Sequence, residues 1–522
     1  MLVRSYLCGR WSDAGGERLP LLNPATEEVV AEVSGGGVDP GSCLDYARNH
    51  GGPALRAMSF AERGRLIAAV AARIYEHRDE LIEIAIRNGG NTRSDAKFDI
   101  DGATATLSAY AKFGESLGSE RVLADGDLIQ LGRSTRFSGA HIRVPLTGAA
   151  VHINAFNFPA WGFAEKAAVA LLAGMPVVTK AATSSSLLAF RIIEILAEAH
   201  TLPDGVLSFI AGGVGDLLDH LSSQDVVAFT GSSETARRIR GHGNVINRSI
   251  RLNVEADSLN AAVLAPDATE GSETFELFLR EVARDITQKA GQKCTAIRRI
   301  LVPSGMLDRV KLELSERLRG IRVGDPAAAD VRMGPLATAA QQRDVREGIE
   351  LLKSEAELVC GDAGRGDVAL TGVAEGRGFF QIPVLLCAPD PERASAIHSH
   401  EVFGPVVTVM PYGGDPFQAA GLVCRGDGGL VSSVYTDDKD FAVRYVLAIA
   451  PFHGRINIGG EKVAEQSPGP GTVMPQLVHG GPGRAGGGEE LGGLRGLAFY
   501  TQRTAIQGYG PLIEKLVRAG TQ

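Results

Sequence analysis

The sequence predicts an α/β protein of two lobes, each carrying a mainly parallel sheet with helices on its faces. Two observations lead there. Short apolar runs alternate with helical patterns between residues 149 and 240, and a second series of the same rhythm begins after about residue 260. The chain's 522 residues, 44% of them hydrophobic and 22% charged, can bury the cores of two or more domains.

The elements follow in chain order. Met1 to Trp11 carries Arg4 and Arg10 but no apolar stretch of secretory length. Residues 54 to 86 read as one helix, with Leu55, Met58, Ala61, Leu66, Val70 and Ile74 at helical spacing. Strands are expected at Ala149–Ile153, Pro176–Thr179, Leu207–Ile210 and Val226–Thr230, with helices at Trp161–Leu172, Ser186–Ala199 and Ser233–Arg240 between or after them. In the second lobe Ile300–Val302, Phe380–Leu386, Val406–Pro411 and Leu430–Tyr435 are the candidate strands. Pro468 to Gly493 is rich in Gly and Pro, but Met474, Leu477, Leu491, Leu494 and Leu497 in and beside it point to backbone folded against another surface rather than a linker.

The longest apolar run, Ala167 to Val178, is broken by Gly174 and Pro176 and falls short of the ~20 residues that span a bilayer. A cytoplasmic protein is expected. The net charge of -8 gives no electrostatic reason to bind nucleic acid or an anionic membrane. Six cysteines (Cys8, Cys43, Cys294, Cys360, Cys387, Cys424) are scattered without CxxC or Cys/His pairing, so neither a disulfide framework nor a metal site is expected.

Four segments carry candidate chemistry. Cys294 has Lys289, Lys293, Arg298 and Arg299 near it in sequence, and positive charge lowers a thiol pKa. Asn157, in Asn157-Phe158-Pro159, follows a strand and precedes a helix, so its amide is placed at the carboxyl edge of a parallel sheet where it can donate to an oxyanion. Glu255 ends an apolar stretch and is expected as a half-buried carboxylate of raised pKa, suited to activating water. Phe229-Thr230-Gly231-Ser232-Ser233 is a strand-turn-helix junction whose N–H groups and hydroxyl suit a pyrophosphate, with Ala211 to Gly215 as a looser glycine turn. Neither of these turns carries a Gly-x-Gly-x-x-Gly fingerprint. Taken singly, each segment also fits a structural role: a packing thiol, an Asn opening a turn before Pro159, a surface or cap carboxylate.

Taken together, Asn157-Phe158-Pro159, Phe229-Thr230-Gly231-Ser232, Gly291-Gln292-Lys293-Cys294 and Glu401-Val402-Phe403-Gly404-Pro405 resemble the aldehyde dehydrogenase superfamily from Trp11 to Leu497. The resemblance implies Cys294 as nucleophile, Glu255 as general base and Asn157 as oxyanion donor beside the Cys294 N–H. It implies cofactor contacts at Lys180, Gly231 and Ser232, Glu401 on the nicotinamide ribose and Phe403 against the nicotinamide. It also implies a Rossmann-like cofactor domain (1–128 and 147–257), an α/β catalytic domain (258–476) and a small β oligomerisation element (129–146 and 490–511). A homodimer or dimer of dimers is expected through an added edge strand in which Phe499, Tyr500 and Ala505 alternate with polar residues.

Three departures refine the resemblance. Lys180-Ala181-Ala182-Thr183 lacks the acid that most relatives place on the ribose 2′-hydroxyl, so Thr183 and Lys180 favour NADP, with NAD as the alternative. The usual Glu-Leu-Gly-Gly-Lys is Glu255-Ala256-Asp257-Ser258-Leu259-Asn260, and the retained base points to water rather than CoA as the acceptor that releases product. His479-Gly480-Gly481 replaces the common Phe-Gly-Gly form, and its run to Gly493 resembles a branch that oxidises CoA-thioester semialdehydes from aromatic ring opening. The expected substrate is a CoA-linked semialdehyde such as 3,4-dehydroadipyl-CoA semialdehyde, and the expected protein a stand-alone dehydrogenase ending at Gln522. His479 reads either as a substrate contact or as a structural cap on a glycine turn.

Overall fold

The computed structural model describes residues 1–13, 15–364 and 370–519. Among these, each lobe carries a seven-stranded sheet. In the first, Arg251–Glu255, Val226–Thr230, Ala150–Ile153, Val177–Lys180 and Leu207–Ile210 run parallel in that order, and Tyr6–Leu7 and Arg10–Trp11 add an antiparallel edge. Ala150–Ile153 and Leu207–Ile210 are buried at every position, as strands covered on both faces must be. The chain lays Ala150–Ile153 first, builds outward on one side, then returns to lay Val226–Thr230 on the other. Ligand crevices open at the carboxyl ends beside such a reversal, which is where Asn157 and Gly231 sit.

The second sheet runs Glu357–Cys360, Val384–Cys387, Val406–Tyr412, Arg299–Pro303, Ala261–Leu264, Gly429–Tyr435 and His453–Gly459, parallel except for the first strand. A third, smaller sheet pairs Phe137–Pro145 with Thr501–Tyr509 antiparallel. Thr501–Tyr509 lies at its edge.

Several elements differ from expectation. The single helix of residues 54 to 86 is three: Gly52–Ala57, Phe60–Glu76 and Arg78–Gly89. Ser59 breaks it, because its hydroxyl accepts from the Glu62 N–H while the Glu62 carboxylate accepts from the Ser59 N–H at 2.7 Å, a reciprocal cap that starts a new helix. The strand expected from Phe380 begins at Val384. Phe499 and Tyr500 belong to the short helix Leu497–Tyr500, and the edge strand starts only at Thr501. Tyr500 turns inward, its hydroxyl 3.3 Å from His152 Nε2.

The Gly/Pro-rich segment is folded, as its apolar residues suggested, although only Leu491 and Leu497 of the five are buried while Met474, Leu477 and Leu494 are exposed. Val478–Gly481 pairs antiparallel with Gly488–Leu491, placing His479 opposite Glu490. The glycines are required by contact: a Cβ on Gly480 would lie 2.0 Å from the Gly488 carbonyl oxygen, and one on Gly486 would lie 2.4 Å from that of Val254. The ribbon is thereby pressed against the strand that ends in Glu255.

Candidate active site

The Cys294 loop leaves the helix Glu273–Thr287 through three successive left-handed residues, Lys289 (φ 54°), Ala290 (φ 52°) and Gly291 (φ 68°). For the two that are not glycine this costs on the order of 1–3 kcal/mol each, so surrounding contacts must hold the turn. They do. A Cβ on Gly291 would lie 2.2 Å from the Gly404 carbonyl oxygen, so the loop rests directly on the Glu401–Pro405 segment. Asn260 Nδ2 donates to the Cys294 carbonyl at 2.8 Å, and Gln292 Oε1 accepts from the Ala337 N–H at 3.0 Å.

Around the thiol lie Asn157, Glu255 and His479, lining one cavity of about 40 Å³. That is room for little more than a reacting carbonyl or a few waters. Asn157 Nδ2 donates to the Gln292 carbonyl at 3.1 Å. Glu255 is buried at the carboxyl end of its strand, with its Oε2 3.0 Å from His479 Nε2, and the same imidazole nitrogen is 3.8 Å from Cys294 Sγ. The fold thus creates the Cys/His pairing that the sequence spacing did not show.

Electrostatics here differ from the sequence expectation on two counts. Burial raises the Cys294 thiol well above its ordinary value, and the carboxylates of Glu255, Glu165 and Glu401 add to the rise. The nearby cations do not offset it because each is turned to another partner. Lys293 Nζ sits 2.5 Å from Asp285, Lys289 lies over the Phe158 ring, Arg298 pairs with Glu401 at 3.4 Å, and Arg299 is spent on the carbonyls of Leu259, Leu422 and Val423. The Glu255 carboxyl, expected to be raised, is instead held down at about 2: burial pushes it up, but the His479 imidazolium outweighs that, helped by Lys166 and the Cys294 thiol. The partner moves the other way, since Glu255 raises the His479 imidazole against the opposing effect of burial.

Behind Glu255 is a buried charge cluster. Lys166, 1% exposed, contacts Glu165 at 3.2 Å and Glu490 at 3.1 Å, and carboxylate oxygens of Glu165, Glu255 and Glu490 all lie within 4.8 Å of one another. Burial pushes the Glu165 carboxyl up to about 8, although Lys166 opposes the shift. A carboxyl raised in this way favours the fold most at low pH and loses that contribution as pH climbs from the ordinary carboxylate range through about 8. Lys166→Met is therefore expected to lower the melting midpoint by several degrees, since stranding a buried charge costs about 3–5 kcal/mol. The loss should be larger at pH 8.5 than at pH 6; equal losses in melting curves at the two values would contradict this account of the cluster.

The other predicted residues gather at the sheet's crevice. Lys180 ends the strand Val177–Lys180, half-buried, and among the described residues its ammonium has neither an ion pair nor a hydrogen bond. Thr183 Oγ1 is 3.4 Å from the Gly212 carbonyl, which brings the looser glycine turn alongside. Ser232 caps the helix Ser233–Arg240 by accepting from Thr235 N–H at 3.3 Å, after Gly231 whose N–H donates to the Glu255 carbonyl. One N–H of this helix start is already taken, since Ser233 donates to Asp257 at 3.1 Å. Glu401 Oε2 accepts from Ser258 N–H at 3.0 Å, and burial raises its carboxyl to about 7. Phe403 packs edge-on against Phe156, with the Arg298 guanidinium 5.3 Å from its ring centre. A free cation, a hydroxyl and a small-residue turn at one sheet end suit a phosphorylated dinucleotide.

On the opposite side, a larger cavity of about 550 Å³ shares Phe98, Trp161, Gly471 and Val473 with the cavity at Cys294. It merges through Ser94, Arg284 and Gln288 into a further one of about 410 Å³. Lys97, Arg284, Arg93 and Arg332 line them. The acids there are largely neutralised, Asp101 by Arg78 at 2.6 Å and Asp285 by Lys293, and Arg93 pairs with Glu83. Lys97, Arg284 and Arg332 have no ion pair among the described residues, so the mouth is basic.

The sequence reading missed Glu165, Lys166 and Glu490 as members of the site, and left His479 undecided. A usable signal existed for the first two: adjacent charges inside the apolar helix Trp161–Ala173, which is buried at every position. His479 and Glu490 had none, because only the pairing of their strands brings them to Glu255 and Lys166.

Residues 11–506 match the aldehyde dehydrogenase family. The chain is 44% identical over 482 residues to the 3,4-dehydroadipyl-CoA semialdehyde dehydrogenase of Aromatoleum evansii, covering 92% of this chain and 93% of that one. Among solved structures, Escherichia coli lactaldehyde dehydrogenase superposes with a TM-score of 0.84 at 23% identity, over 97% of this chain and 99% of that one. Betaine aldehyde dehydrogenase from Staphylococcus aureus in complex with NAD+ gives a TM-score of 0.83 at 25% identity, over 97% and 95%. Among the described residues no helix is long and apolar enough to cross a membrane.

Proposed function

Since this chain belongs to the aldehyde dehydrogenase family, we propose that it uses NADP to oxidise a CoA-thioester semialdehyde, such as 3,4-dehydroadipyl-CoA semialdehyde, to its carboxylic acid. The observation that carries the substrate class is the basic mouth. A cavity of about 550 Å³ leads from the cramped space at Cys294 to Lys97 and Arg284, so a narrow acyl arm can reach the thiol while a phosphorylated handle stays outside. The name of the Aromatoleum evansii relative supports the same reading.

In this reading Cys294 Sγ attacks the aldehyde carbon. The oxyanion that develops accepts from the Cys294 N–H and from the Asn157 amide, which has two N–H donors and spends one on Gln292. Glu401 and Phe403 would hold the nicotinamide end of the cofactor, and Lys180, Thr183, Gly231 and Ser232 its phosphates; when bound, it would supply the hydride acceptor. Glu255 then takes a proton from water, whose oxygen attacks the thioester carbonyl and releases the acid. Thr183 in place of an acid, and the unpaired Lys180, favour a 2′-phosphate. The edge strand Thr501–Tyr509 supports self-assembly as a homodimer or dimer of dimers.

The test is NADPH formation from a CoA-linked C6 semialdehyde beside its free-acid counterpart. A large kcat/KM advantage for the CoA form is expected. The double variant Lys97→Glu/Arg284→Gln should lose roughly ten- to a hundredfold of kcat/KM on the CoA form, the scale of one or two charge-assisted contacts. Equal turnover of both substrates by the wild type would leave a dehydrogenase of free aldehydes.

A further inference from the structure

His479 stands where the common form of the motif carries Phe, and it is the single imidazole lining the cavity at Cys294 among the described residues. Its ring is 2% exposed, its Nδ1 is buried without a hydrogen-bond partner, and its Nε2 reaches both Glu255 and the thiol. The contact with Glu255 Oε2 is one of charge rather than an aligned hydrogen bond, so Nε2–H is free to serve a second acceptor. This bears on an open difficulty of the reaction: a thiol lifted by burial and by three carboxylates needs a cation, and the lysines and arginines nearby are committed elsewhere.

Building on the reading of Cys294 as nucleophile and Glu255 as base, we propose that His479 is the cationic partner of the Cys294 thiolate. The Glu255 carboxylate lies beside the thiol, with one atom each of Glu255, Cys294 and His479 within 4.8 Å of one another. On ionisation the proton passes from Sγ to Glu255, and the imidazolium keeps its own proton while its Nε2–H, 3.8 Å from Sγ at the outset, serves the thiolate. Two protons are shared by the three groups before and after, so the step needs no outside acceptor. Once the thiolate has attacked and the sulfur is acylated, loss of the transferred proton to solvent regenerates the carboxylate that activates water.

The groups around His479 are consistent with a retained positive charge. Glu255 faces it from the strand Arg251–Glu255, Glu165 and Lys166 from the helix Trp161–Ala173, Glu490 from the paired strand, and Arg455 from the strand His453–Gly459. Arg455, the other cation besides Lys166, donates to the carbonyls of Thr472 and Pro470 and leaves the thiol to His479.

The experiment is iodoacetamide alkylation of the full-length protein without aldehyde, followed by mass spectrometry of the Cys294 peptide across pH 5.5–10. In His479→Phe the rate at pH 7 is expected to fall at least tenfold and its pH midpoint to move upward. His479→Gln, which keeps a hydrogen-bond donor but no charge, is expected to follow it, and carries the test alone if the Phe variant does not fold. Wild-type profiles in a folded variant would overturn the proposal. The measurement needs no substrate, so it stands apart from the CoA assignment: a protein that shows the expected alkylation yet ignores CoA substrates loses only that assignment.

Discussion

Glu255→Gln is expected to produce an enzyme that turns over once and stops. Mixed with NADP and aldehyde, it should release close to one equivalent of NADPH per subunit, more slowly than the wild type because the thiol has lost its proton acceptor, after which the steady rate falls on the order of a thousandfold, the contribution of a positioned general base. The reason is spatial. The carboxylate is buried beside the thiol in a cavity of about 40 Å³, with no other acid among its lining residues except Glu165, whose proton burial holds on up to about pH 8. Removing Glu255 therefore leaves an acylated Cys294 with nothing to take a proton from water. Cys294→Ala is expected to release no NADPH at all, so the two variants separate the attack from the hydrolysis. Stopped-flow absorbance decides it: a Glu255→Gln steady rate within tenfold of the wild type would remove Glu255 from the base role.

Thr183→Glu should have the second largest effect, inverting the cofactor preference. Placed beside the glycine turn at Gly212 and near the end of the strand carrying Lys180, a carboxylate would pair with that ammonium and repel a 2′-phosphate. Like charges a few ångströms apart at a protein surface repel by about 2–4 kcal/mol, so kcat/KM with NADP should drop on the order of a hundredfold while NAD is retained. Measured specificity constants for both cofactors give the answer. A wild type already faster with NAD than with NADP would sink the premise, and an unchanged ratio in the variant would place the 2′-position away from Thr183.

The contrast between Cys294 and Lys166 shows what was legible beforehand and what was not. Cys294, Asn157 and Glu255 could be named because their short motifs together resemble those of a known family, and the alternation of apolar strands with helices reports the parallel sheet whose strand ends carry Asn157 and Glu255. Patterns of this kind are local, recurring every two residues in strands and every 3.6 in helices, so the sequence by itself determined the lobes, the crevice and the three residues facing it. Charge could not be read the same way. Lys293 adjoins Cys294 in the chain yet points to Asp285, whereas His479, 185 residues away, touches the thiol. An ionisable group answers to whatever lies within a few ångströms and to how much water is excluded, and both are set only when distant strands pack. The direction of the Cys294 and Glu255 shifts, the buried Lys166 cluster and the basic mouth were therefore decided by the tertiary structure alone.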